Sequence, residues 1–194
     1  MQKKHAEHQI RDPKRLRAMS HPLRLKLMSL LAEERSATAT RCAEVLDESV
    51  ASCSYHLNIL AKYGFIEEAP GGQGREKPWR ATTEEITVSP EGLEPEGRLA
   101  AGAAIDAWMD HEFAQLKDRL HSYELEPEPW REAIGTNATN TFLTAQEAAK
   151  VREEIEAIYD RYRDRQDQPG LRPADARPVR MFMSLTVAPP REEI

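Results

Sequence analysis

The chain has 194 residues, of which 40% are hydrophobic and 31% charged, with two cysteines and a formal net charge of −6. That length can bury a core without disulfides, and the net negative charge excludes a generally basic nucleic-acid binder. No apolar run is long enough to span a bilayer, and the start MQKKHAEHQI lacks the apolar core of a signal peptide, so no membrane contact and a cytoplasmic location are expected.

The charge is divided unequally. Residues 1–82 carry 14 Lys+Arg against 10 Asp+Glu, or +4, whereas residues 83–194 carry 13 against 23, or −10. A basic part can face phosphates and an acidic part cannot, so any DNA contact belongs to the first 82 residues.

Residues 1–11 are polar and mixed in charge and read as a loose arm. From Asp12, Leu16, Met19, Leu23, Leu27, Leu30 and Leu31 recur at helical spacing. Ser20-His21-Pro22 interrupts them, and since proline is tolerated in a first helical turn, a second helix begins there. Arg11, Lys14, Arg15, Arg17, Arg24 and Lys26 surround this stripe, either as a solvated face or as contacts to backbone phosphates. Thr38–Asp47 fits a short helix capped by Thr40, with Cys42, Val45 and Leu46 inward. Cys42 and Cys53 read as reduced core thiols.

The stretch Ser49–Glu68 organises the rest. At about 100° per residue, Cys53, Leu57 and Leu60 share one narrow sector, while Ala51, Tyr55, Asn58 and Lys62 lie opposite, flanked by Ser52, Ser54 and Ile59. Ser49 can cap the helix N-terminus and Gly64 can take the left-handed turn that ends it. An ordinary surface helix would carry Glu and Lys outside. Small residues, hydroxyls, an amide and a phenol instead suit a DNA groove, where small residues allow close approach and Ser, Asn and Tyr can bond to bases or phosphates. A short polar-faced packing helix is the plain alternative. Phe65–Ala69, the turn-rich Pro70–Gly74 and Arg75–Thr82 then read as strand, tip and strand. A hairpin directly after a recognition helix is a wing, and Gln73, Arg75 and Lys77 on it join Ala51, Ser52, Ser54, Tyr55, Asn58 and Lys62 as candidate DNA contacts.

Ser20-His21-Pro22-Leu23-Arg24, the run Ser54–Leu60, the exit Gly64-Phe65-Ile66 and the wing end Trp79-Arg80-Ala81-Thr82 together resemble the winged helix-turn-helix of ArsR-type (arsenic-repressor-like) bacterial transcription regulators. The resemblance covers residues 12–82. It implies a homodimer whose paired recognition helices read a two-fold operator in double-stranded DNA, with release controlled by a metal, another effector or a partner.

Residues 83–97 hold two prolines and two glycines among acids and read as a linker. From Arg98 to Tyr123, Leu99, Ala103, Ile105, Trp108, Met109, Phe113, Leu116, Leu120 and Tyr123 form a stripe too long for the small winged domain to cover, which points to self-association. Trp130–Ile134 fits a helical turn. Residues 138–143 are strand-like, Thr144–Glu147 is a capping box opening a helix to about Asp167, with Val151, Ile155, Ile158, Tyr159 and Tyr162 on one face, and residues 179–187 alternate as a strand whose only nearby mate is 138–143. The expected fold is mainly α with small β elements: a winged helix-turn-helix over 12–82 and a helical dimerisation and possible effector region over 98–188 carrying a short two-stranded sheet.

Metal sensing and catalysis find little support in the sequence. The paired-cysteine pattern of metal-sensing relatives is absent because Cys42 stands alone in its helix. Asp110, His111, His121 and Glu124 have suggestive spacing, yet Trp108 and Asp110 replace ligands that the pattern requires. Ser54 and His56 diverge on their helix with no third group to orient the histidine, so no enzyme, cofactor or metal is expected. The alternatives are a winged helix that docks a protein instead of reading DNA, and a metal-responsive repressor.

Overall fold

The computed structural model describes residues 9–71, 76–82 and 87–188. The chain divides into two compact units, 1–135 and 136–194.

In the first unit a two-residue strand β1 (Gln9–Ile10) pairs in parallel with β4 (Thr87–Val88). Two residues read as loose arm and two read as linker therefore form structure. The reason lies in the side chains: Ile10 is buried in the core and Val88 packs against that core. The rest of the expected arm, residues 1–8, lies outside the described residues.

Helix α1 (Pro13–Met19) starts where the Asp12 carboxylate accepts the Lys14 N–H at 2.9 Å, and α2 (Pro22–Glu34) starts at the expected proline. Leu16, Met19, Leu23, Leu27, Leu30 and Leu31 are all buried, as their spacing requires. Helix α3 (Ala39–Leu46) is capped by Thr38, not Thr40: the Thr38 hydroxyl accepts the Arg41 N–H at 3.1 Å, and the Thr40 hydroxyl instead donates to Glu76 Oε1 at 2.8 Å. Val45, expected inward, is exposed. Cys42, Ala43 and Leu46 define the inner sector, and Val45 stands about 100° away from the middle of it. Asp47 then takes a left-handed conformation, φ 52°, which turns the chain sharply into the next helix.

Helix α4 (Val50–Lys62) buries Cys53, Leu57 and Leu60 completely, and the Ser49 hydroxyl accepts the Ser52 N–H at 3.1 Å. Its C-terminus is closed by two reversed bonds, Gly64 N–H to Ala61 C=O and Phe65 N–H to Leu60 C=O, both 3.0 Å, with Gly64 at φ +73°. That pattern satisfies carbonyls the helix end leaves open and requires a left-handed residue. A Cβ at Gly64 meets nothing within 4 Å, so Gly64→Ala costs only backbone strain. We expect a loss of about 1–2 kcal/mol in urea unfolding; an unchanged midpoint would contradict the role given to this glycine.

Strands β2 (Ile66–Glu68) and β3 (Trp79–Ala81) pair antiparallel in the register Ile66↔Ala81, Glu67↔Arg80, Glu68↔Trp79, and Ala37 bridges Trp79 from the loop before α3. The wing is thus stitched to the helix-turn-helix on both sides. Helix α5 (Pro95–His121) starts three residues earlier than the apolar stripe suggested; it packs near α1 and α2 and buries Ala100, Ala101, Ala104 and Glu112, while Gly97 lies against Leu93 just before the helix. Large members of the stripe point elsewhere: Leu99 is 79% exposed, and Trp108, Phe113 and Leu120 are each near 40%. A short helix α6 (Glu128–Ala133) completes the unit.

The second unit contains α7 (Ala145–Asp160), opened by the expected capping box: the Thr144 hydroxyl accepts the Glu147 N–H at 3.2 Å and Glu147 Oε2 accepts the Thr144 N–H at 2.8 Å. A turn and a short α8 (Asp164–Asp167) follow, then a single 3-10 turn at Pro169–Leu171. No described residue of this unit is buried. Residues 138–143 and 179–188 form no strand, so the expected C-terminal sheet is corrected; the antiparallel two-stranded sheet is the wing's. Alternation alone does not make a sheet. With Phe142 and Val187 fully or almost fully exposed, no apolar layer covers the face that pairing would create. The chain is mainly helical with small β elements, and its N-terminal unit is a winged helix-turn-helix.

Candidate nucleic-acid interface

Helix α4 carries the candidate surface on the side away from Cys53, Leu57 and Leu60. Ala51, Tyr55 and Asn58 are exposed and Ser52 and Ser54 half-buried, so one helix brings together the small and polar residues picked out on it, with Lys62 as its last residue. Tyr55 projects furthest, at 63% exposure. Asn58 is not wholly free: its Nδ2 donates to the Ser54 carbonyl at 2.8 Å, which leaves Oδ1 as the readier group for a base. The Lys62 ammonium lies 5.6 Å from the Tyr63 ring centre, an arrangement that still leaves its charge at the helix end.

The wing is less simply basic than its sequence suggests. Lys77 pairs with Glu68 and Arg80 with Glu67, while Glu76 holds Thr40 of α3. These pairs are about half exposed, and such surface pairs are worth little, so phosphate oxygens can compete for the same cations. Gln73 and Arg75 lie outside the described residues.

Of the basic residues around α1 and α2, Arg24 is a correction. It was a candidate for phosphate contact, but it is 91% buried: only 9% of its surface remains exposed, because its guanidinium turns inward to the carbonyls at the end of α1. Arg17 pairs with Glu96 of α5, and the Arg15 guanidinium stacks 5.0 Å above the Phe65 ring. Sequence reasoning also missed His56 as a buried polar residue and Val50 as an exposed one at the first turn of α4. The helical projection carried a signal for His56, which falls next to the Cys53–Leu57–Leu60 sector.

The thiols are free and buried; burial pushes Cys42 up to about 11 and raises Cys53 as well, the unreactive environment of core cysteines. Among the described residues no group of three His, Cys, Asp or Glu side chains is placed to hold a metal ion. His111 Nε2 lies 2.8 Å from Ser29 Oγ and 3.0 Å from Gln115 Nε2, and so links α5 to α2. No described helix is long and apolar enough to cross a membrane.

No curated protein matches the chain. Residues 19–69, from the end of α1 through β2 and into the wing, match the family model described as a helix-turn-helix domain. The chain therefore carries a helix-turn-helix domain, and a DNA-binding regulator is the function that such a domain supports.

Proposed function

We propose that the protein is a sequence-specific transcriptional regulator of the ArsR type, acting in the cytoplasm as a homodimeric repressor on a two-fold symmetric operator. The observation that carries this reading is the outer face of α4: small and uncharged polar side chains, fixed between a capped start and a glycine-closed end, inside a helix-turn-helix domain. Phosphate contacts position such a helix and base-edge contacts specify the sequence. Ser52, Ser54, Tyr55 and Asn58 are assigned to base edges, and Lys62, Arg75 and Lys77 to phosphates. Ala51 is assigned to close approach, and Gln73, from its place in the sequence, to the same contact. The second copy is argued from α5, whose large apolar side chains remain exposed after its small face has packed. Control by an effector is part of the proposal; among the described residues no metal-donor set singles one out.

Alanine variants test the assignment. Tyr55→Ala and Asn58→Ala are expected to cost roughly 1–3 kcal/mol on the operator and to relax preference at one position per half-site. Lys62→Ala and Arg75→Ala are expected to weaken operator and random DNA alike and to flatten the salt dependence. Binding isotherms on both DNAs at several salt concentrations, with circular dichroism as the folding control, separate the two classes. Equal losses on both DNAs for Tyr55→Ala and Asn58→Ala would show that this face does not read sequence.

One observation favours a second reading: the described wing cations Lys77 and Arg80 each sit beside a carboxylate, Glu68 and Glu67, so the wing presents charges of both signs. A winged helix that docks a protein partner is the result. It calls for no salt-sensitive DNA binding, so the same titrations decide between the two.

A further inference from the structure

Three side chains meet where the end of α1, the start of α2 and the inner side of α4 come together. The Arg24 guanidinium donates from Nε to the Ala18 carbonyl and from Nη2 to the Arg17 carbonyl at 3.0 Å, two of the acceptors that the end of α1 leaves open. Its Nη1 lies 3.4 Å from His56 Nδ1 on α4. The His56 ring lies tilted against His21, with centroids 4.3 Å apart and planes 36° from parallel, and Tyr55 meets it edge-on at 5.1 Å. His21 is itself fixed, because its Nδ1 accepts the Leu23 N–H at 3.2 Å and so caps α2. Arg24 and His56 are both more than nine-tenths buried, whereas Tyr55 stands largely in solvent.

The chemistry of these bonds is directional. A guanidinium has only donors, so His56 Nδ1 must accept and its proton must sit on Nε2. The same holds for His21, whose Nδ1 accepts from the backbone. Both rings are therefore neutral in this arrangement. A leucine could fill the place of His56, but it would leave a buried guanidinium donor without its acceptor.

We infer that Arg24 and His56 are positioning residues for DNA reading: Arg24, anchored on the closed end of α1, holds His56, and His56 sets the pose in which α4 presents Tyr55. The inference rests on the assignment of α4 as the DNA-reading helix. A site of this kind is only as well placed as the side chains that support it. The cluster reaches the outer face of α4 without touching DNA.

A dependence on pH follows from the geometry. The groups facing the two rings are Arg24 from α2, Tyr55 from α4 and Glu48 from the turn before α4, and Arg24 also senses Tyr63 at the end of α4. Burial lowers the pKa of His56, with His21 and Arg24 adding to the effect; burial and then Arg24 lower that of His21. Glu48 alone opposes. Both folded-state pKa values thus lie below the ordinary histidine value. The contact is intact above that value and is lost as pH falls through the lowered one, when His56 Nδ1 becomes a donor facing a donor.

The test uses the full chain on its operator and on random DNA from about pH 8 down to the lowest pH at which circular dichroism still shows the folded helix content. The ratio of operator to random affinity is expected to fall roughly tenfold in acid, within the usual range of coupling between linked sites. His56→Asn keeps an acceptor near the place of Nδ1 that cannot be protonated; combined with His21→Asn, which preserves a helix cap, it should retain the ratio at pH 8 and remove the acid loss. His56→Leu should lower the ratio roughly tenfold at pH 8 with helix content intact. A folded His56→Leu chain with the wild-type ratio, or a wild-type ratio that ignores pH, would overturn the inference. Should His56→Leu not fold, the pH profile of the asparagine double variant decides. A wild-type chain with no operator preference even at pH 8 would overturn the DNA-reading function and this inference together, whereas a preference indifferent to His56 overturns the inference alone.

Discussion

Phe65→Ala is expected to destabilise the winged domain by about 3–5 kcal/mol, the range for a large aromatic side chain lost from a packed core. Phe65 is the largest of the fully buried side chains, with 1% of its surface exposed. It also joins three elements. Its N–H closes the end of α4 on the Leu60 carbonyl, its carbonyl accepts the Thr82 N–H at 3.0 Å beyond β3, and its ring lies under the Arg15 guanidinium of α1. Truncation leaves a cavity at the junction of recognition helix, wing and first helix, and the cation loses the ring it stacks on. With total stabilities of about 5–15 kcal/mol typical of such domains, a loss of this size leaves a marginal fold. Urea unfolding followed by circular dichroism measures it, with Val50→Ala as a control expected to change little because that side chain is half exposed. A loss below about 1 kcal/mol would mean that the core does not depend on this junction.

Replacing Leu99 and Leu120 together by glutamate is expected to produce monomers and to lower operator affinity by roughly a hundredfold or more, because a two-fold site then gains nothing from joined half-site contacts. The argument begins with packing. Helix α5 turns Ala100, Ala101 and Ala104 into the core, and the half-exposed ion pair Arg119–Glu33 spans its far end and α2. Leu99 and Leu120 stand at opposite ends of the stripe that remains, and each is exposed enough to accept a charge without disturbing the fold. Burying a fully exposed side chain of this kind is worth about 1.5–3 kcal/mol; Leu99 can gain nearly that and the half-buried members of the stripe a part of it, and a two-fold interface counts each contribution twice. Light scattering should give twice the chain mass for the wild type and one chain mass for the variant. A wild-type mass of one chain would remove α5 as a dimer helix.

How much was legible in the sequence depends on whether a local pattern also had a tertiary partner. The capped ends of α4, its buried Cys53–Leu57–Leu60 sector, the proline start of α2 and the Thr144 capping box were all readable because each is settled within one or two turns of chain. The cap of the preceding helix, α3, was harder: Thr38 and Thr40 are equally good capping residues, and the difference lies in the bond from Thr40 to Glu76 of the wing, 36 residues away. The α5 stripe was legible as apolar, but the face packed within the chain is the one that carries Ala100, Ala101 and Ala104, because alanine allows a close helix approach that larger side chains would block. Residues 179–187 failed in the opposite way, with a clear period of two and no layer to bury it. In the candidate interface, the outward face of α4 could be read from periodicity. The inward turn of Arg24 could not, since a long basic side chain beside an apolar stripe usually reaches solvent, and only the open carbonyls at the end of α1 give it a reason to turn.

The central claim, that α4 reads a DNA sequence, is tested most directly by selecting fragments bound by the full chain from the source genome and repeating the selection with Tyr55→Ala. The account predicts that the wild-type protein enriches a two-fold repeat whose half-sites lie about 10–10.5 bp apart or a multiple of that, and that Tyr55→Ala enriches sites with relaxed preference at one position in each half. Fragments without a shared motif, or an identical motif recovered by both proteins, would contradict it.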